Sequence, residues 1–309
     1  MSGLAAFWEN SPHFRGAFWK VLSFVSFSGI NGIVRYLSQS SVGEPLPPYE
    51  VAFFQNLFGL IFLVPWILKN GPKSLKTQRP GIHASRIALS ALGIILWYSA
   101  LAFMPLSQAV GLMFLGPLLT ALGAGFFLRE RIGIERGIAI AIGFLGGALI
   151  SHGLSLSLGL DTFYKDINIL LPISAAACFS GATLMVRTLG QHDSSQLIVT
   201  YLLLFIAPLL LIPTLWGGFW PESWQWPWLL FMGGLAALAH LSLSNAYKAA
   251  EVSYLIPYGF TKWFASSLIG YLVFSEIPGF WTVAGAFIIM GAIVFLSHIE
   301  LKRRKRLEV

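Results

Sequence analysis

The sequence is poor in charge. Only 11% of its 309 residues are Asp, Glu, Lys or Arg, whereas 56% are hydrophobic and the mean hydropathy is +0.73. An ordinary soluble domain carries about a quarter charged residues, so this chain has too little polar surface to cover itself in water. The composition therefore disfavours both a soluble enzyme and a disordered chain.

Cysteine is nearly absent, and acidic residues are missing from the middle of the apolar runs. The single cysteine, Cys178, lies in an apolar run, which excludes an intrachain disulfide and a cysteine-based metal cluster. Proton-coupled exporters of lipophilic cations usually need a carboxylate buried in the membrane. We therefore expect the cargo to be an anionic, zwitterionic or neutral organic solute.

Long apolar runs are what the sequence does contain. About 20 apolar residues in a helix cross a hydrocarbon core roughly 30 Å thick. Ten such runs are present, over residues 17–37, 50–68, 86–104, 107–128, 134–152, 167–188, 196–215, 226–248, 252–274 and 281–299. The fold class predicted is an all-α integral membrane protein with ten transmembrane helices.

The chain contains an internal repeat. One set of residues recurs at a shift of 152: Phe27-Ser28-Gly29, Val34-Arg35, Leu37 and Gln39 return as Phe179-Ser180-Gly181, Val186-Arg187, Leu189 and Gln191. A second set recurs at a shift of 146: Ala100, Ser107, Glu130, Gly133 and Ser151-His152 return as Ala246, Ser253, Glu276, Gly279 and Ser297-His298. Residues 1–152 and 153–309 are predicted to be two related units of five helices each.

Five is an odd number, so the second unit starts on the opposite side of the membrane from the first. The two repeats are therefore predicted to be inverted. Inverted repeats are typical of secondary transporters, because two such halves can expose one central site to either side in turn. This predicts alternating access around a cavity at the midplane.

Basic residues cluster at three places that fall on one side if the ten helices alternate in direction. They are Lys69, Lys73, Lys76, Arg79 and Arg86, then Arg129, Arg131 and Arg136, then the tail Lys302, Arg303, Arg304, Lys305 and Arg306. The positive-inside rule places these loops and both termini in the cytoplasm. We expect a multi-pass protein of a bacterial inner membrane. The tryptophans of the seventh connection lack neighbouring Lys or Arg, so they indicate a membrane interface and no nucleic-acid partner.

The chain resembles the drug/metabolite transporter (DMT) superfamily, in particular its EamA-type members. The resemblance rests on ten helices in two halves, on Pro117 thirteen residues before Glu130, and on the small residues behind that glutamate. It implies the fold and the transport of a small metabolite. The second half departs from the pattern, because Trp263 replaces the proline and Lys262 precedes it.

Lys262 is the strongest candidate for a substrate contact. It is the eleventh residue of the predicted ninth helix, about 15 Å from either end and therefore near the midplane. A cation at that depth is costly and usually faces a cavity or a partner. We expect it to bind an anionic group of the substrate, although pairing with backbone carbonyls is an alternative. His240 is a second candidate, for substrate contact or proton coupling, with packing as its alternative.

Aromatic and amide residues supply the other pocket candidates: Trp97, Tyr98, Tyr247, Tyr254, Tyr258, Trp263, Asn31, Gln55 and Asn56. Tyr254, Tyr258 and Lys262 are spaced by four residues, which predicts one shared helix face. Packing against neighbours explains the aromatics equally well, and interhelical hydrogen bonds explain the amides.

Arg35 is a gating candidate. It is expected near the outer surface, where it would pair with Glu50 in one conformation and release it in the other; an interfacial anchor is the alternative. Glu130 and Glu276 each precede a new helix, where a carboxylate stabilises the positive end of the helix dipole.

Two other function classes fit the sequence less well than a carrier. An integral-membrane enzyme acting on lipid or lipid-linked substrates needs a cluster of acid/base or metal-binding groups, but the six histidines are dispersed and no His-Glu-x-x-His helix occurs. A channel needs a continuous polar lining, which the halves lack. We expect no enzymatic activity, no cofactor and no metal. The expected partners are a small-molecule metabolite and the lipid bilayer, and a homodimer is left open.

Overall fold

The chain folds almost entirely into helices. The structure, a computed structural model, describes residues 11–39, 43–70, 77–127, 133–152, 167–193, 195–217 and 220–307, and no strand occurs in these ranges. The first half contains α1 (Pro12–Leu37), α2 (Pro48–Asn70), α3 (Pro80–Phe103), α4a (Leu106–Met113), α4b (Gly116–Phe127) and α5 (Ile134–His152). The second half contains α6 (Leu170–Leu189), α7 (Ser195–Gly217), α8 (Trp226–Ala249), α9a (Val252–Leu255), α9b (Thr261–Phe274) and α10 (Phe280–Leu307).

These helices form ten membrane spans. Eight segments of the described chain are long and apolar enough to cross a bilayer, and α2 and the pair α9a–α9b complete the set. The predicted all-α membrane fold is confirmed. With ten spans both chain ends lie at one face of the bundle, here named the terminal face, and the other is named the distal face.

Proline defines where several helices begin. Helices α1, α2 and α3 start at Pro12, Pro48 and Pro80. The fixed φ of proline suits the first helical position, and its missing N–H has no intrahelical partner there in any case. Helix α1 begins five residues before the apolar run that predicted it, because hydropathy locates the membrane core and not the helix end.

The fourth and ninth spans are broken, whereas the sequence predicted one helix over 107–128 and one over 252–274, which Pro117 and Pro257 can kink. Helix α4a ends at Met113, four residues before Pro117, where the proline ring would collide with the backbone carbonyl of a continuous helix. The chain around Pro257 forms a 3₁₀ turn, Pro257–Phe260, between α9a and α9b. Each half of the protein therefore contains one broken span.

The inverted repeat is visible in two matching hydrogen bonds. The Ser28 hydroxyl on α1 shares its hydrogen between the backbone carbonyl of Lys262, at 3.0 Å, and that of Phe24 in its own helix, at 2.9 Å. The Ser180 hydroxyl on α6 shares its hydrogen in the same way, between the carbonyl of Gly116 at 2.8 Å and that of Ala176 at 2.6 Å. The two serines are 152 residues apart and the acceptors Lys262 and Gly116 are 146 apart, which are the shifts of the sequence repeat. Each interhelical bond satisfies a carbonyl at the start of the helix that follows the break.

Helix pairs between the halves build the bundle. Helix α1 packs along α8, and α3 packs along α6, so each half lends helices to both sides of the centre. Helices α2 and α7 form a third contact, and α5 and α10 a fourth. At the terminal face, Asp193 accepts hydrogen bonds from Thr77 at 2.8 Å and, across 2.9 Å, from His83 of α3. Burial alone would raise the pKa of Asp193, but these bonds outweigh it and hold the pKa below its usual value.

The α5–α10 contact brings two backbones together. A methyl group at Gly146 would lie 2.8 Å from the carbonyl oxygen of Gly285, and one at Gly285 would collide with the carbonyl oxygen of Gly146. Small residues at such positions permit close helix packing in membranes. The absence of side chains here is thus a condition for the contact.

Gly285→Ala should lower the free energy of unfolding by about 1–3 kcal/mol, because the new methyl group overpacks the interface. The measurement is the apparent melting temperature of the purified protein in detergent. Gly291→Ala on the same helix is the matched control, since its methyl would meet no atom within 4 Å. Equal melting temperatures for the two variants would contradict the close contact.

Candidate functional site

Lys262 occupies the centre of the bundle and is the second residue of α9b. Its ammonium group lies 5.5 Å from the ring centroid of Trp97 on α3 and 5.7 Å from that of Phe27 on α1. Cations are attracted to aromatic faces at such distances. The structure gives this ammonium no hydrogen bond or ion pair with any residue that it describes, so its three N–H groups are available to a ligand.

His240 adds a polar group next to this pair of rings. Its ring packs edge-on against Phe27, with centroids 5.2 Å apart. His240 lies in the interior stretch of α8. Lys262, His240, Phe27 and Trp97 come from helices α9b, α8, α1 and α3, and we call them the central cluster.

The tyrosine candidates lie nearer the terminal face than the central cluster. The hydroxyls of Tyr254 and Tyr258 are 3.1 Å apart and hydrogen-bonded, while Tyr247 on α8 accepts a hydrogen bond from Lys20 at 2.9 Å. Tyr254 and Tyr258 share a face, as the spacing predicted, with ring centroids 5.6 Å apart. The 3₁₀ turn Pro257–Phe260 lies between Tyr254 and Lys262, so the predicted face does not run along one continuous helix.

Several other candidates are used in helix packing in this conformation. Tyr98 donates its hydroxyl hydrogen to Gln55, and both side chains are buried. Asn31 contacts Ser266 at 3.4 Å, and Asn56 donates to a carbonyl of its own helix at 2.8 Å. The structure therefore favours the alternative of interhelical hydrogen bonds for Gln55 and Asn31, whereas the bond of Asn56 stays within α2.

Trp263 also serves packing. Its indole N–H donates to the backbone carbonyl of Ser107 at 2.9 Å, and its ring stacks on Phe260 with centroids 5.3 Å apart. The side chain is 3% exposed. Trp263 therefore ties α9b to α4a, with its ring and its donor both engaged inside the protein.

Arg35, on α1, contacts the distal ends of α3 and α9b. Its guanidinium donates to the backbone carbonyl of Leu101 at 3.0 Å and also to that of Met104, and it pairs with the carboxylate of Glu276. Phe274 lies 5.4 Å from it. The partner expected from the sequence, Glu50, is not paired with Arg35 in this conformation; it is buried at the start of α2, without a hydrogen bond to any described residue.

Glu276 is positioned by an unusual turn. Ser275 adopts a left-handed conformation with φ of 57°, and the N–H of Glu276 then donates to the carbonyl of Gly270 at 2.9 Å. This turn directs the carboxylate toward the N–H of Leu106, at 2.8 Å. Glu276 thus caps α4a in the other half, whereas the sequence predicted that it stabilises the helix that follows it.

The repeat-related helix pairs α1–α3 and α6–α8 are packed differently. Near the distal face α1 packs against α3, whereas α6 and α8 touch at most marginally within the described ranges. Arg187, the counterpart of Arg35, is exposed, and Glu130, the counterpart of Glu276, lies outside the described residues. Within the described ranges, the Arg35–Glu276 contacts join helices at the distal face, and the Asp193 contacts join elements at the terminal face.

The sequence does not identify one residue and one pairing of this arrangement. Phe27 stands out in the sequence only as part of the repeat, yet its ring touches both polar members of the central cluster. The pairing of Arg35 with Glu276 is likewise not predicted. The repeat carried a signal for it, because Arg35 and Glu276 both have counterparts at the same shifts, in Arg187 and Glu130.

Glu276→Gln should open the distal face more often, because it removes the charge that holds Arg35. For an ion pair worth about 1 kcal/mol the change is about fivefold. The measurement is the labelling rate of a Leu101→Cys variant, in a Cys178→Ser background, by a membrane-impermeant maleimide applied at the distal face. Glu300→Gln, which removes a carboxylate paired with Arg136 elsewhere, is the control. An unchanged rate in Glu276→Gln would show that Arg35 does not control access.

Comparison with known proteins agrees with this architecture. Residues 14–152 and 166–298 match the model of the EamA-like transporter family. The chain is 33% identical over 303 residues to a riboflavin transporter of Vibrio cholerae, covering 94% of this chain and 96% of the relative. It is 29% identical over 295 residues to an S-adenosylmethionine uptake transporter of Rickettsia felis, covering 94% and 95%.

A solved crystal structure shares the fold, with a TM-score of 0.57 and 18% identity over 93% of this chain and 99% of the other. The family and the named relatives are transporters, so the alternative of a membrane enzyme has no support. The chain belongs to the EamA-like transporter family of the DMT superfamily and is a multi-pass membrane transporter of a small molecule.

Proposed function

We propose that this protein carries a flat heteroaromatic metabolite of the riboflavin type by alternating access, and that the central cluster binds it. The observation that supports the proposal most strongly is the position of Lys262 between the rings of Trp97 and Phe27. Pockets for such metabolites are mostly apolar and contain a few well-placed polar groups. The central cluster has this composition.

The chemistry of the cluster suits a planar ring with polar edges. A ring inserted beside Trp97 gains stacking contact, and Lys262 can donate to carbonyl oxygens at its edge. Riboflavin has a flat tricyclic ring with two carbonyl groups, and S-adenosylmethionine carries a flat adenine. The riboflavin and S-adenosylmethionine carriers among the relatives thus support a heteroaromatic cargo within the broad class of organic solutes expected from the sequence, in preference to amino acids or simple organic acids.

Side-chain entropy also favours this cluster as a binding site. Trp97 is buried and Phe27 is packed against the core, so neither loses much rotamer freedom when a ligand arrives. The ammonium of Lys262 lies beside both of these rings. Preorganised groups of this kind lower the cost of binding.

The basic residues give the proposed orientation. Arg79, Arg86 and Arg136 lie at the helix starts on the terminal face, which the positive-inside rule assigns to the cytoplasm. The Arg35 contacts join helices at the opposite face. In this proposal these contacts hold the distal face closed, and rocking of the halves exchanges access between the two faces.

Trp97→Leu and Lys262→Met should each weaken riboflavin binding about tenfold, because one removes a stacking partner and the other a hydrogen-bond donor. The measurement is the quenching of riboflavin fluorescence by titrated protein in detergent. Trp216→Leu and Lys248→Met are the controls, since both side chains are exposed. No binding of riboflavin by the wild-type protein would refute this cargo.

Cysteines introduced at Gly133 and Gly279 should label from opposite sides of the membrane. Both positions are exposed in turns and occupy matching places in the two halves. The experiment uses intact cells, a Cys178→Ser background and an impermeant maleimide, which should reach position 279 and not position 133. Labelling of both from one side would overturn the assigned orientation.

A further inference from the structure

A second cation lies inside the bundle, on the same helix as Phe27. Lys20 is 6% exposed, and its ammonium lies 4.6 Å from the ring centroid of Phe24 and 4.5 Å from that of Tyr247. It donates one hydrogen bond, to the Tyr247 hydroxyl at 2.9 Å. Lys20 thus repeats the arrangement of Lys262, a lysine held between two aromatic rings.

The ammonium of Lys20 has more N–H donors than the one hydrogen bond to Tyr247 uses. An ammonium carries three N–H groups, and the Tyr247 hydroxyl takes one of them. No acidic side chain within the described ranges pairs with Lys20. A buried cation in a membrane protein is costly and normally faces a partner or a substrate path, so the missing counter-charge points to a ligand.

The register of α1 and α8 places Lys20 in line with the central cluster. Lys20 on α1 contacts Tyr247 on α8. Phe27, seven residues after Lys20, contacts His240, seven residues before Tyr247. Seven residues in a helix span about 10 Å. The two contacts are successive layers of one interface, and the Lys20 layer is the one nearer the terminal face.

The other half of the repeat has no such layer. The positions equivalent to Lys20 and Tyr247, at shifts of 152 and 146, are Pro172 and Leu101. Both are buried, and neither has a polar side chain. The cationic layer therefore exists only on the terminal half of the path, while the matching place on the distal half is apolar and lies beneath the Arg35 contacts.

We propose that Lys20 and Tyr247 form a second binding subsite, for an anionic oxygen group such as a carboxylate or phosphate on the transported molecule. This rests on the proposed function, since it extends the central cluster toward the cytoplasm. A molecule whose ring lies at Trp97 and whose anionic end lies about two helical turns away contacts both lysines. Tyr247 is 46% exposed, so its side chain is free to turn aside and leave the ammonium to the anion.

The test compares two ligands that share one ring. Riboflavin is neutral along its chain, whereas flavin mononucleotide carries a phosphate at the chain's end. In detergent at low ionic strength, the wild-type protein should bind flavin mononucleotide about tenfold more tightly than Lys20→Met does. The dissociation constant for riboflavin should differ less than twofold between the two proteins.

Two variants control for charge and for folding. Lys20→Arg keeps the cation and should retain at least a third of the wild-type affinity for flavin mononucleotide. Lys248→Met removes an exposed cation close to Tyr247 in sequence and should leave both affinities unchanged. An equal loss for both flavins in Lys20→Met, or an equal loss in Lys248→Met, would overturn the subsite.

Two further experiments are needed. One distinguishes an anion on the transported molecule from a lipid headgroup, and the other distinguishes failure of the subsite from failure of the proposed cargo. If the advantage of flavin mononucleotide seen in detergent disappears in phospholipid nanodiscs, a lipid headgroup occupies the subsite, and its role in transport is refuted. If neither flavin binds, the proposed cargo fails, and inorganic phosphate then tests Lys20 alone. Phosphate should raise the melting temperature of the wild-type protein and not that of Lys20→Met; an equal shift in both would refute the anion site.

Discussion

The hydrocarbon core leaves no solvent for a backbone group whose helix is interrupted. This constraint governs the centre of the protein, where the fourth and ninth spans break. Irregular backbone at membrane depth is tolerated only where protein or a cavity satisfies it. Here the hydroxyl donors are Ser28 of α1 and Ser180 of α6. Ser28 lies in the first half and reaches the break in the ninth span, whereas Ser180 lies in the second half and reaches the break in the fourth span. The breaks therefore join the halves, and Lys262 lies at one of these joints.

The sequence predicts the spans well because apolar run length is a direct measure of membrane thickness. Repeat matching predicts the inverted halves for a similar reason, since it depends on residue identity alone. The breaks at residues 114–115 and 256–260 were not predicted. Proline reveals a local disturbance, but whether it bends a helix or ends it depends on donors from other helices, such as Ser28, that are distant in sequence.

Side-chain partners were harder to predict than positions. Counting residues placed Lys262 near the midplane, and its role in binding stays a prediction that the ring contacts favour. The buried amides and Trp263 illustrate the opposite case. Their chemistry suits a ligand and a helix contact equally, and only the three-dimensional neighbours, such as Tyr98 for Gln55, distinguish the two. The partner of Arg35 is Glu276, in a turn 241 residues away. Local sequence patterns do not detect a pair so far apart.

The glycine contact between α5 and α10 has a mechanical consequence. Gly146 and Gly285 each face the backbone carbonyl of the other. Neither helix therefore has room to move sideways past the other. Translation of one helix past the other would bring bulkier neighbours, such as Ile288 and Ile289, onto that carbonyl. We therefore expect α5 and α10 to move together as one unit. A change in which face is open would then be taken up at the interrupted spans, which have fewer intrahelical hydrogen bonds to lose.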